Sequence, residues 1–142
     1  MTTIAFDYKN KKVSYDSRVT QGDKIITDSC VKMYKRDGLV LFAAGEMGQE
    51  DEIIDAYIIG DMSAISNFEA IIIDRGDAYK FAKYDKDSFE KYELKFSHAI
   101  GSGEEHAITA MDLGCSAKRA VKYAMKRDSC TGGRIRTFSL KG

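Results

Sequence analysis

The first part of the chain alternates apolar and polar residues with the period of two that is typical of β-strands. Ile4, Phe6 and Tyr8 alternate with small or polar neighbours, and after a polar turn residues 13–15 continue the pattern. Two further apolar runs, 30–34 and 39–44, flank an Asp-Gly pair, which favours a hairpin turn. The first 45 residues therefore predict two β-hairpins.

After Gly45 the period changes to that of a helix. Apolar residues recur at helical spacing over residues 50–59, and acidic residues in the first turn suit the positive end of the helix dipole. The β-rich stretches 68–74, 78–84 and 89–95 predict three more strands.

The last third of the chain predicts two helices and a closing strand. A short helix follows the turn 101–103 and ends at Gly114, and Ser116 suits the N-cap of a second helix. Residues 135–140 form the last predicted strand. Strand hairpins with helices inserted between them favour an α+β fold with antiparallel sheets, and no linker divides residues 1–142, so we expect a single domain.

Composition limits the classes of function. The 142 residues suit one domain, no apolar run is long enough to span a membrane, and no signal peptide is evident. Three cysteines without a CxxC pair and two scattered histidines favour neither a zinc site nor another metal site, and indicate reduced thiols. We therefore expect a cytoplasmic protein with no metal, no cofactor and no membrane partner.

The net charge of zero is a cancellation of blocks: residues 1–45 carry +3, residues 46–112 carry −10 and residues 113–142 carry +7. The basic block makes nucleic-acid binding one hypothesis. A solvated helix face is the commoner explanation, and no interleaved aromatic residues support base stacking, so no nucleic-acid partner is expected. The residues concerned are Lys118, Arg119, Lys122, Lys126, Arg127, Arg134 and Arg136.

Thr2 is the first candidate for chemistry. An initiator methionine before a small residue is commonly removed, and an N-terminal threonine carries a nucleophilic hydroxyl and a basic α-amine on one residue. An α-amine titrates with a pKa of about 7.7–8.0, so much of it acts as a base near neutrality. Many proteins begin Met-Thr without using it, so Thr2 alone is a weak indication.

Three further features support this hypothesis. Asp16 ends the strand predicted to pair with the first, and Lys32 interrupts an apolar run. Lys32 is either an outward, solvated lysine or a cation held by Asp16 that stabilises charge. The small residues 43–45 allow a backbone to approach a substrate and to donate N–H groups to an oxyanion.

With these residues the chain resembles bacterial HslV peptidases and proteasome β subunits. The matching features are the start Thr2-Thr3-Ile4, the Asp16-Ser17-Arg18 strand end, Lys32, an IGSG turn at 100–103 and an RDSCTGG turn at 127–133. Each motif is weak alone, but five in the right order make a strong joint signal. The resemblance covers residues 2–48 and 97–140.

The resemblance implies a four-layer αββα N-terminal-nucleophile (Ntn) hydrolase sandwich of two antiparallel sheets, and threonine peptidase activity. Thr2 matches the nucleophile, with its amine as general base, and Asp16 and Lys32 match the pair that tunes it. Backbone N–H groups at Phe42 or Ala43 match the oxyanion donors, although the family usually has glycine there.

The resemblance also implies a supporting network and partners. Ser102, Asp128 and Thr131 match the residues around the amine, while a helix-end aspartate and a turn threonine are the structural alternatives. The family implies a homo-oligomeric ring that degrades unfolded polypeptides, with an AAA+ ATPase as a partner.

The chain is shorter than the family between Gly48 and Phe68, where two long helices are usual, and it has room for one short helix. Such brevity suits a minimal bacterial or phage-type member. It also motivates an alternative hypothesis, a catalytically inactive assembly or interaction protein. Retention of Met1 favours that alternative, because Thr2 then has no free amine.

Overall fold

A computed structural model of the protein describes residues 2–45 and 48–140. The chain divides into two units, Met1–Lys32 with Lys95–Gly142, and Met33–Leu94. In chain order the elements are β1 (Thr3–Asp7), β2 (Lys12–Tyr15), β3 (Val19–Gln21), β4 (Lys24–Thr27), β5 (Met33–Arg36), β6 (Leu39–Gly45), α1 (Glu50–Ile59), β7 (Phe68–Asp74), β8 (Asp77–Asp85), β9 (Ser88–Glu93), β10 (His98–Gly101), α2 (Glu104–Asp112), α3 (Ala117–Met125) and β11 (Arg136–Ser139).

The first unit, Met1–Lys32 with Lys95–Gly142, contains a four-stranded antiparallel sheet in the order β10-β1-β2-β11. Strand β1 is buried along its whole length, with Thr3 opposite Gly101 on β10 and Ile4 opposite Tyr15 on β2. Thr2 directly precedes this strand, so pairing on both sides of β1 fixes its position.

Helices α2 and α3 pack on β1 through small side chains. Ala5 and Ala99 of the sheet share one core cluster with Ala107, Ala120 and Val121 of the helices. Alanine lets a helix backbone approach a sheet closely, because its side chain adds little bulk at the contact.

Helix α3 has the two faces that its sequence predicts. The Ser116 hydroxyl caps it by accepting a hydrogen bond from the Arg119 backbone N–H at 3.2 Å. The apolar face from Ala117 to Ala124 is buried, whereas Lys118 and Lys122 are exposed. The predicted solvated basic face is therefore confirmed.

Two features of the first unit are absent from the sequence-based predictions. Strands β3 and β4 form a separate two-stranded sheet, and β10 extends the four-stranded one. The hairpin strands have three and four residues, and Ile25 and Ile26 are both exposed, so no alternating pattern reveals them.

The second unit, Met33–Leu94, contains a five-stranded antiparallel sheet in the sequential order β5 to β9. Ile53 and Ile54 of α1 share one core cluster with Leu41, Ile72 and Phe81 of the sheet. Together the units confirm the α+β class with antiparallel sheets. No helix in the described ranges is long and apolar enough to cross a membrane.

The strand predicted over residues 30–34 is misplaced. Strand β5 begins at Met33, and Lys32 lies in irregular backbone before it, so it is not part of an alternating strand. The hairpin turn itself is as predicted: Asp37 and Gly38 have φ values of 52° and 78°, the conformation of a two-residue turn.

The segment between Gly48 and Phe68 holds one helix, as its length predicts. Helix α1 ends at Gly60, whose φ of 91° suits glycine, and residues 60–67 are not helical. Lys83, 8% exposed, holds this segment because its Nζ donates to the carbonyls of Met62 at 2.8 Å and Ile65 at 2.7 Å.

We expect Lys83→Met to lower the free energy of unfolding by about 1–3 kcal/mol, because two carbonyls lose their donor while the apolar stem is retained. Urea denaturation checks this. Lys86→Met, at an exposed turn position, is the matched control and should change stability little. Equal effects at both positions contradict the assigned role of Lys83.

Candidate active site

Thr2, Asp16 and Lys32 meet in the first unit. The Thr2 hydroxyl donates a hydrogen bond to Asp16 Oδ1 and accepts one from Lys32 Nζ at 2.6 Å. Lys32 Nζ also lies 2.8 Å from Asp16 Oδ1. Thr2 is 3% exposed and Asp16 is fully buried, so the three polar groups interact away from bulk water.

The Lys32 ammonium is fixed by three partners. Besides Thr2 and Asp16, it donates to the carbonyl of Arg18 at 2.6 Å, which gives each of its three hydrogens an acceptor. Burial lowers the pKa of Lys32, because a desolvated ammonium is disfavoured, and the Asp16 charge opposes this shift only in part.

Backbone N–H groups hold the Asp16 carboxylate. Its Oδ1 accepts from the N–H of Thr3 at 3.3 Å, and its Oδ2 accepts from those of Gly132 at 2.9 Å and Arg18 at 3.3 Å. These donors come from β1, from the segment after β2 and from the turn before β11. Asp16 therefore joins three separate parts of the chain at the hydroxyl of Thr2.

Ser102, Asp128 and Thr131 form a second cluster that reaches the same threonine. Asp128 Oδ2 accepts from the hydroxyls of Ser102 at 2.5 Å and Thr131 at 2.6 Å. Thr131 Oγ1 lies 2.7 Å from Thr3 Oγ1, and Ser102 Oγ lies 3.4 Å from the carbonyl oxygen of Thr2. The cluster thus contacts the main chain of Thr2 and the side chain of its neighbour.

The IGSG turn brings the second cluster close to Thr2. Gly101 has a φ of 100°, and a Cβ added there would overlap the carbonyl of Thr2. Glycine is therefore required by both the backbone conformation and the close approach of the two segments.

Phe42 and Ala43, the predicted oxyanion donors, lie on β6 in the second unit. Phe42 is fully buried and pairs with Met33 of β5 and Ile71 of β7, and Ala43 pairs with Ala70. Their role stays a prediction.

The site also contains residues that were not predicted for it. Thr3, Arg18 and Gly132 each bond to Asp16 or Thr131. All three stand inside the motifs that carry the resemblance, so the motifs rather than any local period signal them. Within residues 2–45 and 48–140, no cluster of His, Cys, Asp or Glu side chains is arranged to hold a metal ion.

Similarity to solved structures covers nearly the whole chain. Eukaryotic HslV from Trypanosoma brucei matches with a TM-score of 0.72 and 17% identity, over 96% of this chain and 98% of that one. The chain has the HslV fold. The expected HslV-like fold is thereby confirmed.

BPH from Thiobacillus denitrificans is also similar in fold to this chain. Its complex with epoxomicin matches with a TM-score of 0.72 and 13% identity, over 96% of this chain and 97% of that one. A second BPH structure matches with a TM-score of 0.67 and 14% identity, over 96% of each chain. No protein-family model and no curated protein sequence matches the chain.

We expect acid to remove a stabilising contribution from Asp128. Burial opposes ionisation of this carboxyl, but donors on Ser102, Thr131 and the Cys130 backbone outweigh it and lower the pKa below 3.8. A folded-state pKa below the unfolded one adds stability above pH 3.8 that is lost as pH falls through the folded pKa. Asp128→Asn should therefore be less stable than wild type near pH 6, with the difference shrinking below about pH 4.

Urea denaturation between about pH 3 and pH 7 measures this difference. Asp112→Asn, at the exposed end of α2, controls for a general effect of removing one negative charge. A difference between wild type and Asp128→Asn that stays constant with pH contradicts the prediction.

Proposed function

We propose that this protein is a threonine peptidase of the Ntn class, in which removal of Met1 exposes Thr2 as the nucleophile. The observation that carries the proposal is the contact of the Thr2 hydroxyl with both Lys32 and Asp16, in a chain with the HslV fold. Met1 lies outside the described residues.

In the proposed reaction, Thr2 Oγ1 attacks the carbonyl carbon of a peptide bond and its proton passes to the free α-amine of Thr2. The Lys32 ammonium, 2.6 Å from Oγ1, stabilises negative charge that develops on this oxygen. The amine then protonates the leaving nitrogen, which leaves an ester on Thr2. Water adds to this ester, and Thr2 is regenerated when the acid product leaves.

The supporting residues have separate roles in this proposal. Asp16 keeps Lys32 charged and directed at Oγ1, since its carboxylate lies 2.8 Å from the ammonium. Ser102, Asp128 and Thr131 support the start of β1 through the contact of Thr131 Oγ1 with Thr3 Oγ1 at 2.7 Å, and with it the position of the amine. The contact of the buried Thr2 hydroxyl with the Lys32–Asp16 ion pair supports the peptidase over the inactive alternative.

The proposed oxyanion donors, Phe42 and Ala43, lie on β6. Strand β5 begins at Met33 opposite Phe42, so beyond Phe42 the described strands pair with β6 on the β7 side alone. Oxyanion binding by the backbone at Phe42 or Ala43 rests on the family resemblance.

The substrate and the assembly follow from the family resemblance. We propose unfolded polypeptides as substrates, a homo-oligomeric ring as the working form and an AAA+ ATPase as a partner. In the charge blocks, the acidic middle of one copy complements the basic C-terminal part of another, which supports self-association.

We expect Thr2→Ala to abolish cleavage of a fluorogenic peptide, with kcat/KM falling by roughly a thousandfold or more, because nucleophile and base act as a unit. Thr109→Ala, an exposed threonine on α2, is the matched control and should retain full activity. Intact mass spectrometry first identifies the preparations in which Met1 has been removed, and only these are assayed. Full activity of processed Thr2→Ala protein disproves the assignment.

We also expect epoxomicin, which is bound in one of the similar structures, to inhibit the processed protein. We propose that it binds at Thr2, where the reactive groups lie. Native mass spectrometry should show one inhibitor molecule per chain, and Thr2→Ala should lose this binding while Thr109→Ala keeps it. If both variants bind epoxomicin equally well, the inhibitor does not bind at Thr2 and this proposal is contradicted.

A further inference from the structure

Arg18 and Asp28 form an ion pair beside the proposed catalytic residues without belonging to them. Arg18 Nε donates to Asp28 Oδ1 at 2.8 Å and Nη2 donates to Oδ2 at 3.2 Å, so the contact is bidentate. The remaining arm, Nη1, donates to the carbonyl of Ser129 at 3.0 Å. One side chain therefore joins the segment after β4 to the turn that carries Asp128 and Thr131.

The main chain of Arg18 bonds directly to the proposed machinery. Its carbonyl accepts from Lys32 Nζ at 2.6 Å, and its N–H donates to Asp16 Oδ2 at 3.3 Å. A shift of Arg18 therefore changes the position of both the ammonium and the carboxylate that contact Thr2.

The Gly132-Gly133 turn packs tightly on the same ion pair. A Cβ added at Gly132 would overlap the guanidinium of Arg18, and the Gly132 N–H bonds Asp16 at 2.9 Å. Gly133 has a φ of 75°, and a Cβ there would lie 2.6 Å from the carbonyl oxygen of Asp28. The turn thus touches both members of the pair.

Hydrogen bonds of two backbone N–H groups fix the segment after β4 in which Asp28 lies. The Ser29 N–H donates to Thr27 Oγ1 at 3.1 Å, and the Cys30 N–H donates to the Ser17 carbonyl at 3.0 Å. Asp28 is therefore anchored two residues before Cys30 and four before Lys32, and its carboxylate offers a fixed point for Arg18.

Stability alone does not account for this geometry. The side chains of Arg18 and Asp28 are 21% and 43% exposed, and ion pairs open to water add little to folding. A planar, bidentate contact does define direction, because the guanidinium fork fits a carboxylate in few orientations.

We propose that the Arg18–Asp28 pair is a positioning device that holds Lys32 and the 128–132 turn in register around Thr2. The pair takes no part in bond making or breaking. This inference rests on the proposed peptidase function, and its test includes a measurement that does not need activity.

Arg18→Lys keeps the charge but loses the bidentate fork, and Asp28→Asn keeps the shape but loses the charge. We expect each to lower kcat for a fluorogenic peptide by roughly tenfold to a hundredfold with KM nearly unchanged, because small misplacements at a reacting centre are costly. The melting temperature should stay close to that of wild type.

Arg36→Lys and Asp55→Asn are matched controls, because they alter an exposed arginine–aspartate contact in the second unit. They should leave kcat unchanged. If Arg18→Lys and Asp28→Asn also leave kcat unchanged, the inference is overturned. A fall in kcat that merely follows a lower melting temperature overturns it as well, because the pair is then structural.

The second measurement is an NMR titration of the isotopically labelled Lys32 amine. We expect its lowered pKa to rise toward the ordinary lysine value in Arg18→Lys, because a displaced ammonium is better hydrated while the charge at residue 18 is kept, and to stay put in the control Arg36→Lys. If Thr2→Ala shows the proposed function to be wrong, this titration still decides the positioning role. An unchanged Lys32 titration in Arg18→Lys, which keeps the charge, contradicts it.

Discussion

The buried carboxylate of Asp16 is the constraint on which the site depends. An ionised group out of water is tolerated only when it is paired and hydrogen-bonded, and breaking a buried pair costs about 3–5 kcal/mol. Asp16 meets this requirement with the Lys32 ammonium and with N–H groups of Thr3, Gly132 and Arg18. The partners that stabilise this charge therefore hold the N-terminus, the segment after β4 and the turn before β11 together.

The same requirement explains why stability and proposed chemistry share contacts. The Lys32 side chain is only 10% exposed, so it too needs acceptors, and two of its three are Asp16 and the hydroxyl of Thr2. A folded state that satisfies the two charges thus places a cation 2.6 Å from Thr2 Oγ1. The groups that stabilise charge at this oxygen are preorganised by folding, before any substrate binds.

Sequence reasoning succeeded where the information is local or lies in a motif. Periodicity, together with turn and capping residues, identified helices α1 to α3 and the longer strands. The motifs named Thr2, Asp16 and Lys32, which the structure brings together. It did not identify the β3–β4 hairpin, because strands this short with exposed Ile25 and Ile26 have no alternating pattern. The Arg18–Asp28 pair could not be predicted either, because its role depends on contacts with residues 129–133, which lie more than 100 positions away in the sequence.

The irregular segment between α1 and β7 is stabilised in a different way from the candidate site. Residues 60–67 are irregular, and irregular backbone leaves carbonyls without the N–H partners that a helix supplies. Lys83 provides those donors from the neighbouring sheet, to Met62 and Ile65. One buried lysine thus satisfies carbonyl groups that an additional helical turn would otherwise pair. Because the hydrogen bonds described for Thr2, Asp16 and Lys32 are all made with residues of the first unit, shortening the middle removes none of them.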